Sequence, residues 1–253
     1  MRAFARDQAK ELLSVGGRTL LARALADLAA SGITEALVVT SPSKPQIAAA
    51  LGARHAGVEL QYAVQEEPRG LADALALAEP FARGEPLLCW LPDNLWSGER
   101  PASAQLIAAL AGRGHDEAHV VALLEVNGRE LDRFGAAGFV EVAALPGTSD
   151  VVRIDRVLDK GTRPACPPDA ALFKGFPLDL WQPDLFDRIR AQRAQKASGA
   201  SQGPGSGELD DTPLLQALAR EGRLLGAILR GGRLFDCGIP AGLEAARAAL
   251  GGE

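Results

Sequence analysis

The chain has 253 residues, 47% of them apolar and 23% charged, with 28 Gly and 16 Pro; this balance excludes collagen-like and disordered classes, and the length allows a substantial core. A formal net charge of −5 without a concentrated basic stretch excludes nucleic acid as a partner. Small polyphosphates stay open, because one or two lysines, backbone amides and a metal ion can hold them.

The three cysteines, Cys89, Cys166 and Cys237, lie far apart without C-x-x-C spacing, which argues against a zinc site or a disulfide framework. No apolar run reaches about 18 residues, and the N-terminus "MRAFARDQ" has no signal-peptide core. A cytoplasmic protein with no membrane partner is expected.

In chain order, a helix is predicted over residues 19–30, stopped by Gly32, then a strand in "EALVVTS" and a helix in "KPQIAAALGARHA". "VELQYAVQ" reads as a strand, and "GLADALALAEPFA" as one helix with Leu71, Leu75 and Ala78 on a shared face. The run from Pro86 to Trp96, "PLLCWLPDNLW", reads as a buried strand ending abruptly at Pro-Asp-Asn, which sets Asp93 at a strand's carboxyl end. Open α/β sheets bind ligands at such ends. The helix "ASAQLIAALAG" and the strand "AHVVALLEV" follow, then a hairpin of "AGFVEVAAL" and "VVRIDRVLDK" around Pro-Gly. "DLWQPDLFDRIRAQRA" is predicted as helix, and the Gly/Ser-rich residues 195–207 as a flexible loop. The helix "TPLLQALAREG", the strand "LLGAILRGG", the turn "LFDCGIP" and a helix entered through Pro240 close the chain. This alternation predicts an α/β fold: a Rossmann-like, doubly wound, mainly parallel sheet with a small β-hairpin insertion.

Five stretches stand out as able to carry chemistry: "AKELL" with Lys10, "QEEPRGLADA" with Gln65 and Gly70, "LPDNLW" with Asp93, "LDKG" with Asp159 and Lys160, and "LFDCGIPAGLEAA" with Asp236. Taken singly, each lysine or aspartate reads as a solvated or turn-forming residue. "SVGGRTL" does not supply the G-x-G-x-x-G of a dinucleotide oxidoreductase. His55, His115 and His119 receive no role, and Cys89 and Cys237 read as packing residues beside the aspartates.

Their order resembles that of the sugar-1-phosphate nucleotidyltransferases, the family of glucose-1-phosphate uridylyl- and thymidylyltransferases. "KELLSVGGRTLL" is similar to that family's P-K-E-L-L-P-V stretch, "LPDN" to L-G-D-N, "LDKG" to E-K-P, and "FDCGIPAGLEAA" to D-x-G-T-P-x-x-L-x-x-A, across nearly the whole chain. The resemblance implies a nucleotide-diphospho-sugar transferase fold and transfer of a nucleotidyl group from UTP or dTTP to a sugar 1-phosphate, glucose 1-phosphate foremost, with release of pyrophosphate. It implies Lys10, Asp93 and Lys160 as catalytic residues and Mg²⁺ held by Asp93 and Asp236. Gln65 and Gly70 would read the pyrimidine base, and Gly138, Asp159, Gly175 and Glu208 would meet the sugar. A homo-oligomer is compatible with it.

Departures from the family pattern accompany the match. Ala9 replaces a Pro, Pro92 a Gly, Asp73 a His or Gln, Asp159 a Glu and Gly161 a Pro. In the family a buried strand and a G-x-G-T-R loop precede the stretch that begins here at Met1. The expectation is one nucleotidyltransferase domain over residues 1–253, N-terminally truncated, since losing an inner strand leaves unpaired backbone and open apolar faces. The alternative is a non-catalytic nucleotide-sugar binding or regulatory homologue without the phosphate loop.

Overall fold

The computed structural model describes residues 9–111, 117–133, 138–162, 164–198 and 208–251. A 3-10 turn, Lys10–Leu12, leads into a short ladder of β1 (Ser14–Val15) and β2 (Arg18–Thr19), then helix α1 (Leu20–Ala30). Thr19 starts α1 by accepting the Ala22 amide on its side-chain oxygen at 3.1 Å, which satisfies one of the donors a helix leaves open. Strand β3 (Glu35–Thr40) and helix α2 (Gln46–Leu51) follow. The predicted helix over 44–56 is shorter than expected: Gly52 turns the chain out at φ 68°, and β4 (Arg54–His55) pairs with β5 (Val58–Val64).

The single helix expected over 70–82 is two, α3 (Leu71–Ala76) and α4 (Glu79–Ala82), because Pro80 starts a helix but cannot continue one. The Pro86 to Trp96 run is likewise two strands, β6 (Leu87–Trp90) and β7 (Asn94–Gly98), with Asp93 in the turn between them. Helix α5 (Ala102–Leu110) has no cap of its own. Asp27 of α1 supplies one, accepting the Ala102 and Ser103 amides at 2.8 and 3.0 Å.

Strand β8 (His119–Asn127), a 3-10 turn Gly128–Arg133, and the hairpin of β9 (Phe139–Ala144) with β10 (Val151–Val157) come as predicted. The next element does not. Strand β11 (Ala171–Trp181) takes up the first residues of the helix predicted from Asp179, and α6 (Leu185–Ala197) starts only after Pro183. Residues 195–197 belong to α6, and 199–207, expected as a flexible loop, lie outside the described residues. Helix α7 (Thr212–Arg220), strand β12 (Leu224–Ile228), strand β13 (Gly232–Asp236) and helix α8 (Pro240–Leu250) complete the chain. The predicted turn "LFDCGIP" is therefore half strand.

A six-stranded sheet runs β6-β11-β8-β12-β10-β9. It is mixed: β8 and β12 are parallel and the other neighbours antiparallel. A second sheet holds β3 and β5 in parallel with β4 at its edge, and β7 and β13 form an antiparallel pair. One face of the large sheet packs Leu106 of α5 against Phe176, Leu178 and Val120. The opposite face packs Trp181 and Leu123 with Leu185 and Ile189 of α6 and Leu218 of α7. Helices on both faces are the doubly wound arrangement that the alternating sequence predicts. Each fully buried side chain of this kind stabilises the fold by roughly 1.5–3 kcal/mol.

Among the described residues, β3 pairs only with β5 and β6 only with β11. Their other edges border a groove of about 700 Å³, lined by apolar side chains that include Leu37, Val39, Leu75, Leu87 and Leu91. No helix among the described residues is long and apolar enough to cross a membrane.

Candidate active site

The β7–β13 ladder sets Asn94 opposite Asp236, which brings Asp93 beside Asp236 although more than half the chain separates them in sequence. The two carboxylates meet over Gly238, where a β-carbon would lie 3.1 Å from Asp236 Oδ1 and 3.3 Å from Asp93 Oδ2. The Gly238 amide donates to Asp236 Oδ1 at 3.1 Å, and Asn94 Nδ2 donates to Asp93 Oδ1 at 3.1 Å. Gly242 of α8 allows this closeness from below. A β-carbon there would run into the Asp236 carbonyl.

Lys10, on the first 3-10 turn, donates from Nζ to Asp93 Oδ2 at 2.5 Å. Burial works to lower its pKa, but the hydrogen bond and charge of Asp93, with the charges of Glu11 and Asp236, leave it raised. The ammonium therefore stays charged at neutral pH. It ties a residue near the N-terminus to Asp93, within the field of Asp236.

Lys174 is a candidate site residue that sequence reasoning does not single out. It lies on β11, only 3% exposed, and its Nζ donates to the Gly175 carbonyl at 3.0 Å. Burial pulls its pKa down to about 8, against the opposing charges of Asp236 and Asp93. A signal was present: Lys174 shares the strand phase of Phe176 and Leu178, both completely buried, so a lysine there points inward.

Gln65 follows β5, held by its amide on the Thr40 carbonyl at 2.8 Å. Its Nε2 donates to the Gly70 carbonyl at 3.1 Å and to Asp73 Oδ2 at 3.0 Å, while Arg193 of α6 donates to Asp73 Oδ1 at 2.8 Å. Gly70 has φ 103°, and a β-carbon on it would strike the Leu209 backbone. Leu209 N donates to the Arg69 carbonyl at 2.5 Å, and Ala72 N to the Leu209 carbonyl at 3.0 Å. The segment carrying Glu208 is thus stitched to the Gln65–Gly70 loop, with Glu208 itself exposed. Gln65 and Pro92 line the same groove, so this loop and the Asp93 turn both border it.

Gly138 and Gly175 also meet, the Gly175 amide donating to the Gly138 carbonyl at 2.8 Å. Asp159 and Lys160 lie at the exposed end of the hairpin: Gln216 donates to Asp159 Oδ1 at 2.9 Å, and Lys160 Nζ stands 3.3 Å from Asp210 Oδ2. The structure thus engages Lys160 with Asp210, and the buried ammonium in the field of Asp93 and Asp236 is Lys174. Burial pushes the Cys237 thiol up to about 12, helped by Asp236 and Asp93, and the Cys89 thiol higher still, which leaves both as packing residues.

A lysine-bound carboxylate pair at one end of the β7–β13 ladder of an α/β fold, with an amide-bearing loop on the neighbouring groove, suits a phosphate- and nucleotide-handling class of protein. The sequence matches the Nucleotidyl transferase family over residues 1–166. The chain belongs to that family, in its sugar-1-phosphate nucleotidyltransferase branch. A glucose-1-phosphate thymidylyltransferase of Actinoplanes sp. is 30% identical over 237 residues, covering 90% of this chain and 67% of its own length. The UTP--glucose-1-phosphate uridylyltransferase AglF of Haloferax volcanii is 27% identical over 241 residues, covering 95% and 87%. Among solved structures, a UDP-glucose pyrophosphorylase complexed with UDP-glucose superposes with a TM-score of 0.76 at 20% identity, covering 95% of this chain and 89% of that one. A UTP-bound enzyme of the same kind from Acinetobacter baumannii gives 0.75 at 17% identity, covering 97% and 87%. The Rossmann-like class expected from sequence is borne out by these folds.

Proposed function

We propose that this chain transfers a nucleotidyl group from UTP or dTTP to a sugar 1-phosphate, with glucose 1-phosphate the first candidate, yielding a nucleotide sugar and pyrophosphate. The observation that carries the reading is the convergence of Lys10, Asp93 and Asp236 from three distant parts of the chain. Some relatives are named as thymidylyltransferases and others as UTP-dependent uridylyltransferases, so the base stays a choice between uracil and thymine. They lend no support to a non-catalytic reading.

The reaction explains the residue types. A sugar-phosphate oxygen, already ionised, forms a bond to the α-phosphorus while the bond from that phosphorus to the bridging oxygen of the β-phosphate breaks. No proton has to be removed, so the obstacle is repulsion between two polyanions. Lys10 supplies fixed positive charge against it. Lys160, from the family match, and Lys174, from the structure, are the two candidates for a second such charge. Gln65 and Gly70 orient the base, and Gly138, Gly175, Asp159 and Glu208 border the sugar.

The Asp93 and Asp236 carboxylates are hard oxygen donors that suit Mg²⁺, an ion content with few protein ligands plus water and phosphate oxygens. Among the described residues no group of three or more His, Cys, Asp or Glu could hold a metal, so these two would carry it alone. When bound, the ion supplies charge that stabilises the developing negative phosphate oxygens.

The test is pyrophosphate release from UTP and dTTP with a panel of sugar 1-phosphates, with and without Mg²⁺. Turnover that a Lys10→Ala variant lacks is expected. Wild-type release no greater than that variant's, for every pair, would overturn the reading.

A further inference from the structure

The amide of Gln65 is held in one orientation. Its Nε2 faces two groups that only accept hydrogen bonds here, the Gly70 carbonyl at 3.1 Å and Asp73 Oδ2 at 3.0 Å. Turning the amide half a revolution would set its oxygen against both acceptors, losing two hydrogen bonds and adding repulsion. The network therefore assigns nitrogen and oxygen without ambiguity. The nitrogen is used up and Oε1 is left as the face offered to a ligand.

Asp73 is the part that makes this one-sided. Its side chain is 14% exposed and is itself pinned, since Arg193 donates to Oδ1 at 2.8 Å from a helix 120 residues further along the chain. One carboxylate oxygen serves the arginine and the other the amide. A carboxylate can serve two donors at once, where an amide side chain in its place has a single oxygen to share.

We infer that Asp73, held by Arg193, fixes Gln65 as an acceptor and so makes the site select bases whose ring nitrogen carries a hydrogen between two carbonyls. Uracil and thymine present that N–H. Cytosine presents a bare lone pair at the same ring position, which would face the Gln65 oxygen unpaired. Asp73 is thus a positioning residue for base choice. The inference rests on the reading that this loop receives the base of a nucleoside triphosphate, and it goes beyond that reading by naming what sets the polarity of recognition.

Calorimetric titration with UTP and with CTP tests it, because binding does not depend on turnover. Wild type should bind UTP at least tenfold more tightly than CTP, and Asp73→Ala should reduce that ratio about tenfold. Asp73→Asn, which keeps one acceptor, should restore part of it. A residue that only braced the fold would weaken both nucleotides alike and leave the ratio where it was. Where Asp73→Ala does not fold, Arg193→Ala removes the outer hold alone and should reduce the ratio about threefold. An unchanged ratio in folded Asp73 and Arg193 variants overturns the inference while the transferase reading stands. A wild type that binds neither nucleotide overturns both, and one that binds UTP without turnover overturns only the activity.

Discussion

Gly242→Ala sets two physical rules against each other, so the sign of its effect is informative. Gly242 is the third residue of α8, a helix in which alanine is favoured over glycine by about 1 kcal/mol. Propensity alone predicts a more stable protein. The added β-carbon, however, would lie 2.6 Å from the Asp236 carbonyl carbon and closer still to its oxygen, and both are backbone atoms that cannot swing aside. Overpacking of this kind costs about 1–3 kcal/mol, so the net expectation is a loss of about 1 kcal/mol. For a chain of this size that lowers Tm by about 2–4 °C. The relief has to pass through the end of β13, which displaces the Asp236 carboxylate from Asp93 and should lower Mg²⁺-dependent pyrophosphate release more than the small stability change explains. Thermal unfolding by circular dichroism, paired with that assay, reads both effects. A variant that melts higher than wild type with full activity would refute the argument that α8 presses on Asp236.

Two lysines can be told apart by substitution. Lys174→Met removes a buried charge but keeps length, so it should fold at least as well as wild type while turnover falls about 100-fold, the scale of losing one preorganised electrostatic contact; Lys160→Ala should cost less than tenfold, and the reverse order would remove Lys174 from the site. His119 is 1% exposed, its Nδ1 accepting the Gln182 amide at 3.2 Å and its Nε2 standing 3.0 Å from Asp184. Burial pulls its pKa down to about 4 despite Asp184, so the ring is neutral at pH 7 and the low pKa of Asp184, about 2, rests on Arg223 and Arg188 against burial. A depressed folded-state pKa stabilises the fold above the unfolded value near 6.5, and that contribution is lost as pH falls toward 4. Urea unfolding from pH 7 to 4 should show wild type losing roughly 3 kcal/mol more than His119→Gln; parallel losses would contradict it.

How much of this was readable beforehand differs between fold and site. The α/β rhythm was legible because helices and strands on both faces of a sheet impose distinct spacings of apolar residues. Strand β11 was not, since Lys174, Pro177 and Asp179 break its apolar pattern. The ladder with β8 shifts register between Phe176 and Asp179, which accommodates the proline, and both charged residues are buried. Lys10, Asp93 and Asp236 were legible as an ordered set of motifs, while nothing local in any one of them signals the others. What joins the two aspartates is strand pairing between β7 and β13, a long-range event that short-range pattern does not encode. Asp73 could be noted as a departure, but its partner Arg193 stands 120 residues away and gives no sign of the pairing.

The groove between β3 and β6 has a consequence for how the protein behaves at high concentration. Among the described residues both strands leave one rim of amide and carbonyl groups bordering an oily trench, and a strand rim without a neighbour is a template onto which an extended polypeptide can zip. Water satisfies those groups only while no better partner arrives. Crowded solutions supply such partners, so pairing at these rims should grow with concentration.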